Sequence, residues 1–97
     1  MTTVTGRVVV IGSANVDLVV RVARPPVVGE TLLGEAAGRF AGGKGLNQAI
    51  AAARCGAETS LCAAVGDDES GVILREALTA AGVAPLLAVD ATAPTGI

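Results

Sequence analysis

The sequence has no histidine, no tryptophan and no tyrosine, and Phe40 is its only aromatic ring. Without imidazole, neither a Ser-His-Asp relay nor a histidine-bearing zinc site can be assembled, so any chemistry falls to carboxylates, amides and backbone groups. Without aromatic faces there is no stacking platform for single-stranded nucleic acid. Basic residues are scarce as well. Seven Lys and Arg against nine Asp and Glu leave a net charge of −2, which excludes a nucleic-acid backbone as partner. Thiols are limited to Cys55 and Cys62. They read as small apolar residues in a reduced compartment, with a disulfide or redox role as the alternative. No apolar run approaches the roughly 20 residues that span a bilayer, and Met1 to Gly6 carries no basic leader. A cytoplasmic protein with no membrane contact is expected.

What is present is apolar and small. A hydrophobic share of 52% against 16% charged residues is the composition of a chain that buries surface, and 97 residues allow one domain at most. Val8 to Ile11 is a β-branched run closed by Gly12-Ser13, which reads as a central strand buried on both faces. Val16 to Val22 is a second β-rich run, interrupted on one face by Asp17 and Arg21 and stopped at Arg24-Pro25-Pro26. Thr31 to Leu33 and Ala36 to Ala41 read as short strands of a small flap. In Lys44 to Cys55, Leu46, Ala49, Ile50 and Ala53 fall at i, i+3, i+4 and i+7, one stripe of a helix, and Gly56 supplies its stop. Thr59 to Val65 reads as a buried strand. Asp67-Asp68 offers a carboxylate cap to a helix striped by Leu74, Ala77, Leu78 and Ala81, ended by Gly82. Val83 to Val89 is a further strand, and Thr95-Gly96-Ile97 reads as the opening of another. The alternation is that of an α/β protein with a parallel central sheet. Two helices cannot cover both faces of such a sheet, so the chain is expected to expose apolar surface and to be the N-terminal part of a larger domain.

Two clusters can carry chemistry. In Ala41-Gly42-Gly43-Lys44-Gly45-Leu46-Asn47-Gln48 a glycine-rich loop runs into a helix, where unpaired N–H groups and a partial positive charge favour an electronegative ligand. The same glycines also serve a tight strand-to-helix turn. Gly38 to Lys44 fits the opening of a P-loop, but Gly45 stands where a hydroxyl holds Mg2+. The dinucleotide fingerprint fails at Gln48, where its third glycine belongs. What remains is a loop whose N–H groups, Lys44 and the Asn47 amide suit polyol hydroxyls. The second cluster, Gly12-Ser13-Ala14-Asn15-Val16-Asp17, follows the first strand at the end where open α/β sheets bind ligands. In extended backbone Asn15 and Asp17 share a face and can serve adjacent hydroxyls; an Asx-turn is the alternative. The run Asp67-Asp68-Glu69 reads as a solvated helix cap without catalytic role.

Gly42-Gly43-Lys44-Gly45-Leu46-Asn47-Gln48-Ala49, with Gly56 and Gly66 at their spacings, resembles the first signature of the ribokinase (pfkB) family of carbohydrate kinases. Gly12 to Asp17, Pro26-x-x-Gly29-Glu30-Thr31 and Gly66-Asp67-Asp68-x-x-Gly71 extend the resemblance along nearly the whole chain. It implies an α/β sandwich with a small β lid, formed by residues 16–22 and 31–41, that transfers the γ-phosphoryl of ATP to a sugar hydroxymethyl group. Carried over residue by residue, Asn15, Asp17, Gly43, Lys44 and Asn47 would contact the sugar. D-ribose, giving D-ribose 5-phosphate, is the expected substrate, because the Asn15 to Asp17 and Gly-Gly-Lys-Gly segments resemble that branch most. ATP, Mg2+ and a monovalent cation are implied for the complete enzyme, and a homodimer through the lid. The family's second signature, Gly-Ala-Gly-Asp with the catalytic Asp, has no counterpart here and is expected beyond Ile97. The chain alone is therefore expected to be inactive, the alternative being a truncated sugar-binding or lid-dimerising module.

Overall fold

A computed structural model describes residues 6–97; Met1 to Thr5, the larger part of the segment read for a leader, lies outside them. The β-branched run forms β1 (Arg7–Ile11), which pairs in parallel with β4 (Glu58–Gly66), and β4 pairs in parallel with β5 (Val83–Asp90). The strand order is β1-β4-β5. Two helices complete this layer, α1 (Lys44–Arg54) ahead of β4 and α2 (Glu69–Ala80) ahead of β5. Crossovers between parallel strands are right-handed, so two steps in the same direction put both helices on one face. The core lies there. Leu46 and Ala49 of α1 and Leu74 and Leu78 of α2 close over Leu61, Val65 and Val83, with Ala14 and Val16 at the edge of the cluster. The parallel α/β sheet and both helical stripes agree with expectation, and each helix is followed by a positive-φ glycine, Gly56 and Gly82.

The other face of the sheet is bare. Val9 is 61% and Ile11 84% exposed, and in register with them lie Ser60 and Cys62 of β4. This is the apolar surface expected of a sheet with helices on one side only. Among the described residues β1 lies at the edge of the three-stranded sheet with one face open, so the expected burial of a central first strand on both faces is not met within them. A run of β-branched residues records that both faces are apolar, and it is silent on whether anything covers them.

β2 (Asn15–Arg21) and β3 (Glu35–Gly42) form a separate antiparallel sheet, with a bulge between Val19 and Val20 that leaves Ala37 outside the register. Beyond Val16 this sheet buries little, and Leu18, Val20 and Phe40 are exposed. The radius of gyration, 16.4 Å, accordingly exceeds the roughly 13 Å of a 100-residue globule. Residues 31–34, expected to open the second flap strand, are irregular. The reason is on the facing side. Pairing ends at Arg21 with Glu35, after which the chain runs into Pro25-Pro26 and offers 31–34 no partner. Glu30 instead ties back the loop, its carboxylate accepting from both Arg24 guanidinium NH groups at 2.6 and 2.8 Å. That bidentate pair holds the Glu30 carboxyl below the ordinary carboxylate range.

Candidate functional site

The two sheets meet at one corner. β1 ends at Ile11, and Gly12-Ser13-Ala14 turns the chain into β2. The first turn of α1 packs on this turn, the Leu46 N–H donating to the Ser13 carbonyl at 3.0 Å. Contact is so close that a Cβ on Gly45 would stand 2.7 Å from Ser13 backbone atoms. Gly43 caps α1 with φ 102° and ψ 146°, a conformation that glycine alone adopts readily. A Cβ there would come within 2.8 Å of both the Asn15 side-chain oxygen and the Ser13 carbonyl. Glycine at 43 thus leaves the space that the Asn15 carboxamide fills. At Gly42 the corresponding space is taken by the Asp17 carboxylate.

Asn15 and Asp17 lie side by side, as their spacing in extended backbone requires, with Asn15 Nδ2 donating to Asp17 Oδ1 at 2.9 Å. Among the described residues Asp17 takes part in no ion pair, and its second oxygen and the Asn15 carbonyl oxygen remain free to accept. Both residues, with Ser13, line an open depression of about 640 Å3 that Ala64, Gly96 and Ile97 also line, Gly96 lying beside Asn15 as its bridge partner. A carboxylate, a carboxamide and a hydroxyl set on a rigid backbone corner suit a neutral ligand with several hydroxyls, each of which can donate as well as accept. Of the five residues expected to form the site, Asn15 and Asp17 line the depression, and Gly43 lies outside the lining but against the Asn15 side chain. Lys44 and Asn47 are exposed on the first turn of α1, outside the lining of the depression.

The Gly96–Ile97 wall is held by a cluster that the sequence did not disclose. Thr95 is buried, 3% exposed. Its hydroxyl donates to Asp68 Oδ1 at 2.6 Å and its N–H to Oδ2 at 2.8 Å, while Oδ1 also accepts the Gly71 N–H at 2.8 Å as the cap of α2. The Thr95 hydroxyl in turn accepts the Gly66 N–H at 2.9 Å. These donors, the Thr95 hydroxyl foremost, hold the Asp68 carboxyl below the ordinary carboxylate range. Within the acidic run, Asp67 and Glu69 are exposed as a solvated cap requires, but Asp68 is a tie between β4, α2 and the segment after β5. Thr95-Gly96-Ile97, expected to open a further strand, reaches the edge of β2. It makes one parallel bridge, Gly96 to Asn15, with the Val16 N–H donating to the Gly96 carbonyl at 2.9 Å. No local pattern joins Asp68 to a residue 27 positions away.

An open α/β layer with a polar corner past the carboxyl end of its first strand is the arrangement of a small-molecule-binding α/β protein. The comparisons with known proteins are specific. The model of the pfkB family carbohydrate kinases matches residues 5–97. Over 74 residues the chain is 49% identical to the ribokinase of Bacillus subtilis, covering 76% of this chain and 25% of that protein. The solved ribokinase of Giardia lamblia aligns with a TM-score of 0.78 and 34% identity over 93% of this chain and 30% of that one. A ribokinase from Cryptococcus neoformans, solved in complex with ADP, aligns with a TM-score of 0.77 and 36% identity over 96% of this chain and 29% of that one. The chain belongs to the pfkB family of carbohydrate kinases. It spans about a quarter of the length of the Bacillus relative.

Proposed function

We propose that this chain supplies the sugar-binding side of an ATP-dependent sugar kinase that converts D-ribose and ATP to D-ribose 5-phosphate and ADP. The observation that carries the reading is the Asn15–Asp17 pair, joined at 2.9 Å and seated over glycines whose missing Cβ atoms leave it room. Asp17 accepts from two sugar hydroxyls, and Asn15 donates to one and accepts from its neighbour. Gly43 leaves room for the Asn15 carboxamide, and Lys44 and Asn47, which lie outside the depression, serve the part of the ligand that extends over the first turn of α1. Together they fix the sugar in one orientation, the largest lever available when the reaction needs alignment more than covalent help.

ATP donates the phosphoryl group when bound, and Mg2+ with a monovalent cation neutralises its charge. Residues that fit these groups are not found among those described. No cluster of three carboxylate or thiol ligands is present there, and Gly45 offers no hydroxyl after Lys44. None of the 97 residues is assigned as the base that takes the hydroxymethyl proton, so the role proposed for them is to bind and orient the sugar. With ATP as donor, the reaction belongs to the cytoplasm. The exposed apolar residues Leu18, Val20 and Phe40 support β2 and β3 as a lid that pairs with a second copy.

The test is turnover by the complete natural protein that carries this sequence. ADP release that depends on D-ribose, and that Asp17→Ala lowers at least tenfold in kcat/KM, is the expected result. Turnover of nucleosides with none of ribose would overturn the substrate. Ribose binding without turnover would favour the non-catalytic module instead.

A further inference from the structure

We infer that Thr95 and Asp68 are positioning residues of the sugar site, holding Gly96 and Ile97 beside β2 so that the depression keeps the wall they form. This rests on the sugar-binding reading above and adds two residues to it that touch no sugar. The connection is continuous. Asp68, fixed as the cap of α2 by the Gly71 N–H at 2.8 Å, grips Thr95 through both its hydroxyl and its N–H. The next residue, Gly96, accepts the Val16 N–H at 2.9 Å, and Val16 is the residue between Asn15 and Asp17. Gly96, the bridge partner of Asn15, and Ile97 line the depression together with those two side chains.

Within the described residues two links hold this wall: the bridge of Gly96 to Asn15 and the buried Thr95 side chain bonded to Asp68. The Thr95 hydroxyl also supplies the acceptor for the Gly66 N–H at the end of β4. Removing the Thr95 hydroxyl leaves that buried N–H without a partner and takes one of the two Thr95 donors from Asp68. The loss falls on the wall first, since α2 retains its cap from Gly71.

Thr95→Val and Thr95→Ser in the complete natural protein separate this role from plain stability. In Thr95→Val, exchange of the Val16 amide hydrogen should quicken and the KM for D-ribose should rise, each about tenfold, with kcat and the KM for ATP little changed. The Leu46 and Gly12 amides, bonded to Ser13 and Cys62 carbonyls at 3.0 and 3.1 Å, should keep their protection. Thr95→Ser, which retains the hydroxyl, should restore both values, and Asp68→Asn should reproduce the Thr95→Val pattern in milder form. Unchanged Val16 exchange in Thr95→Val would overturn the clamp whatever the ligand is. Faster Val16 exchange with an unaltered ribose KM, or ribose and ATP KM values rising together as the melting temperature falls, would overturn its role in the site. A wild-type protein that turns over no sugar would overturn the functional reading, and the exchange data would still decide the clamp.

Discussion

Gly43 and Gly56 offer a matched pair of substitutions, because both have a positive φ and they differ in surroundings. Their φ angles are 102° and 95°. Around Gly56 nothing stands within 4 Å of an added Cβ, so Gly56→Ala meets only the cost of a left-handed residue, about 1–2 kcal/mol. At Gly43 the strain is at least as large, about 1–3 kcal/mol, since ψ of 146° takes it into the region that glycine alone occupies. To this is added a Cβ 2.8 Å from the Asn15 side-chain oxygen and the Ser13 carbonyl, and 3.0 Å from the Ala14 Cα. Two of the three contacts are rigid backbone. The Asn15 carboxamide therefore turns away from Asp17, or the 13–14 turn moves, an overpacking cost of about 1–3 kcal/mol. Gly43→Ala should thus lose about 3–5 kcal/mol in urea unfolding where Gly56→Ala loses about 1–2. Calorimetric titration with D-ribose should show weakened binding for Gly43→Ala and none of that weakening for Gly56→Ala. Equal stability losses, or ribose affinity intact in Gly43→Ala, would refute the reasoning.

Leu61 is fully buried under both helices, and Leu61→Ala should cost about 2–5 kcal/mol by chemical unfolding; a loss under about 1 kcal/mol would mean the helices do not close over β4 as described. The Asp68 carboxyl is depressed by the Thr95 hydroxyl, then by the Thr95 and Gly71 N–H groups, so the unfolded chain binds its proton more tightly than the folded one. Its contribution is complete above the ordinary aspartate value of about 3.9 and is lost as pH falls through the lower folded value. Stability measured against pH should fall in acid below about pH 4, and Asp68→Asn should flatten that slope; an unflattened slope would assign the acid sensitivity to Glu30 and Asp90 alone. On the lid face, Leu18→Glu should convert a dimer of the complete protein to monomer in sedimentation, and a dimer unaffected by it would place the interface elsewhere.

How far the fold could be read follows from the range of each signal. The α1 stripe at Leu46, Ala49, Ile50 and Ala53 is local, repeats with the helical period, and is followed by the expected glycine. Asn15 and Asp17 were legible as neighbours because a strand alternates its side chains, whatever the rest of the chain does. The rank of β1 within the sheet was not, since an apolar strand reads alike at an edge and in the middle. Residues 31–34 carry strand-like composition, but pairing needs a partner, and Pro25-Pro26 had removed it. For Lys44 and Asn47 the helical turn was legible but not which way that turn faces, and the structure sets both outside the depression. The Asp68–Thr95 tie joins residues 27 apart in sequence and exists only once β4, α2 and the segment after β5 have come together.

The claim on which the functional reading stands is that the corner between β1, β2 and α1 receives the sugar, and a D-ribose titration followed by backbone amide resonances of the complete protein tests it directly. Saturable shifts at Ser13 to Asp17 and at Gly42 to Asn47, with Gly96 following, are the expected result. Saturation with shifts confined to Gly66 to Arg75, or no saturable shift at Asn15, Asp17 and Gly43, would contradict it.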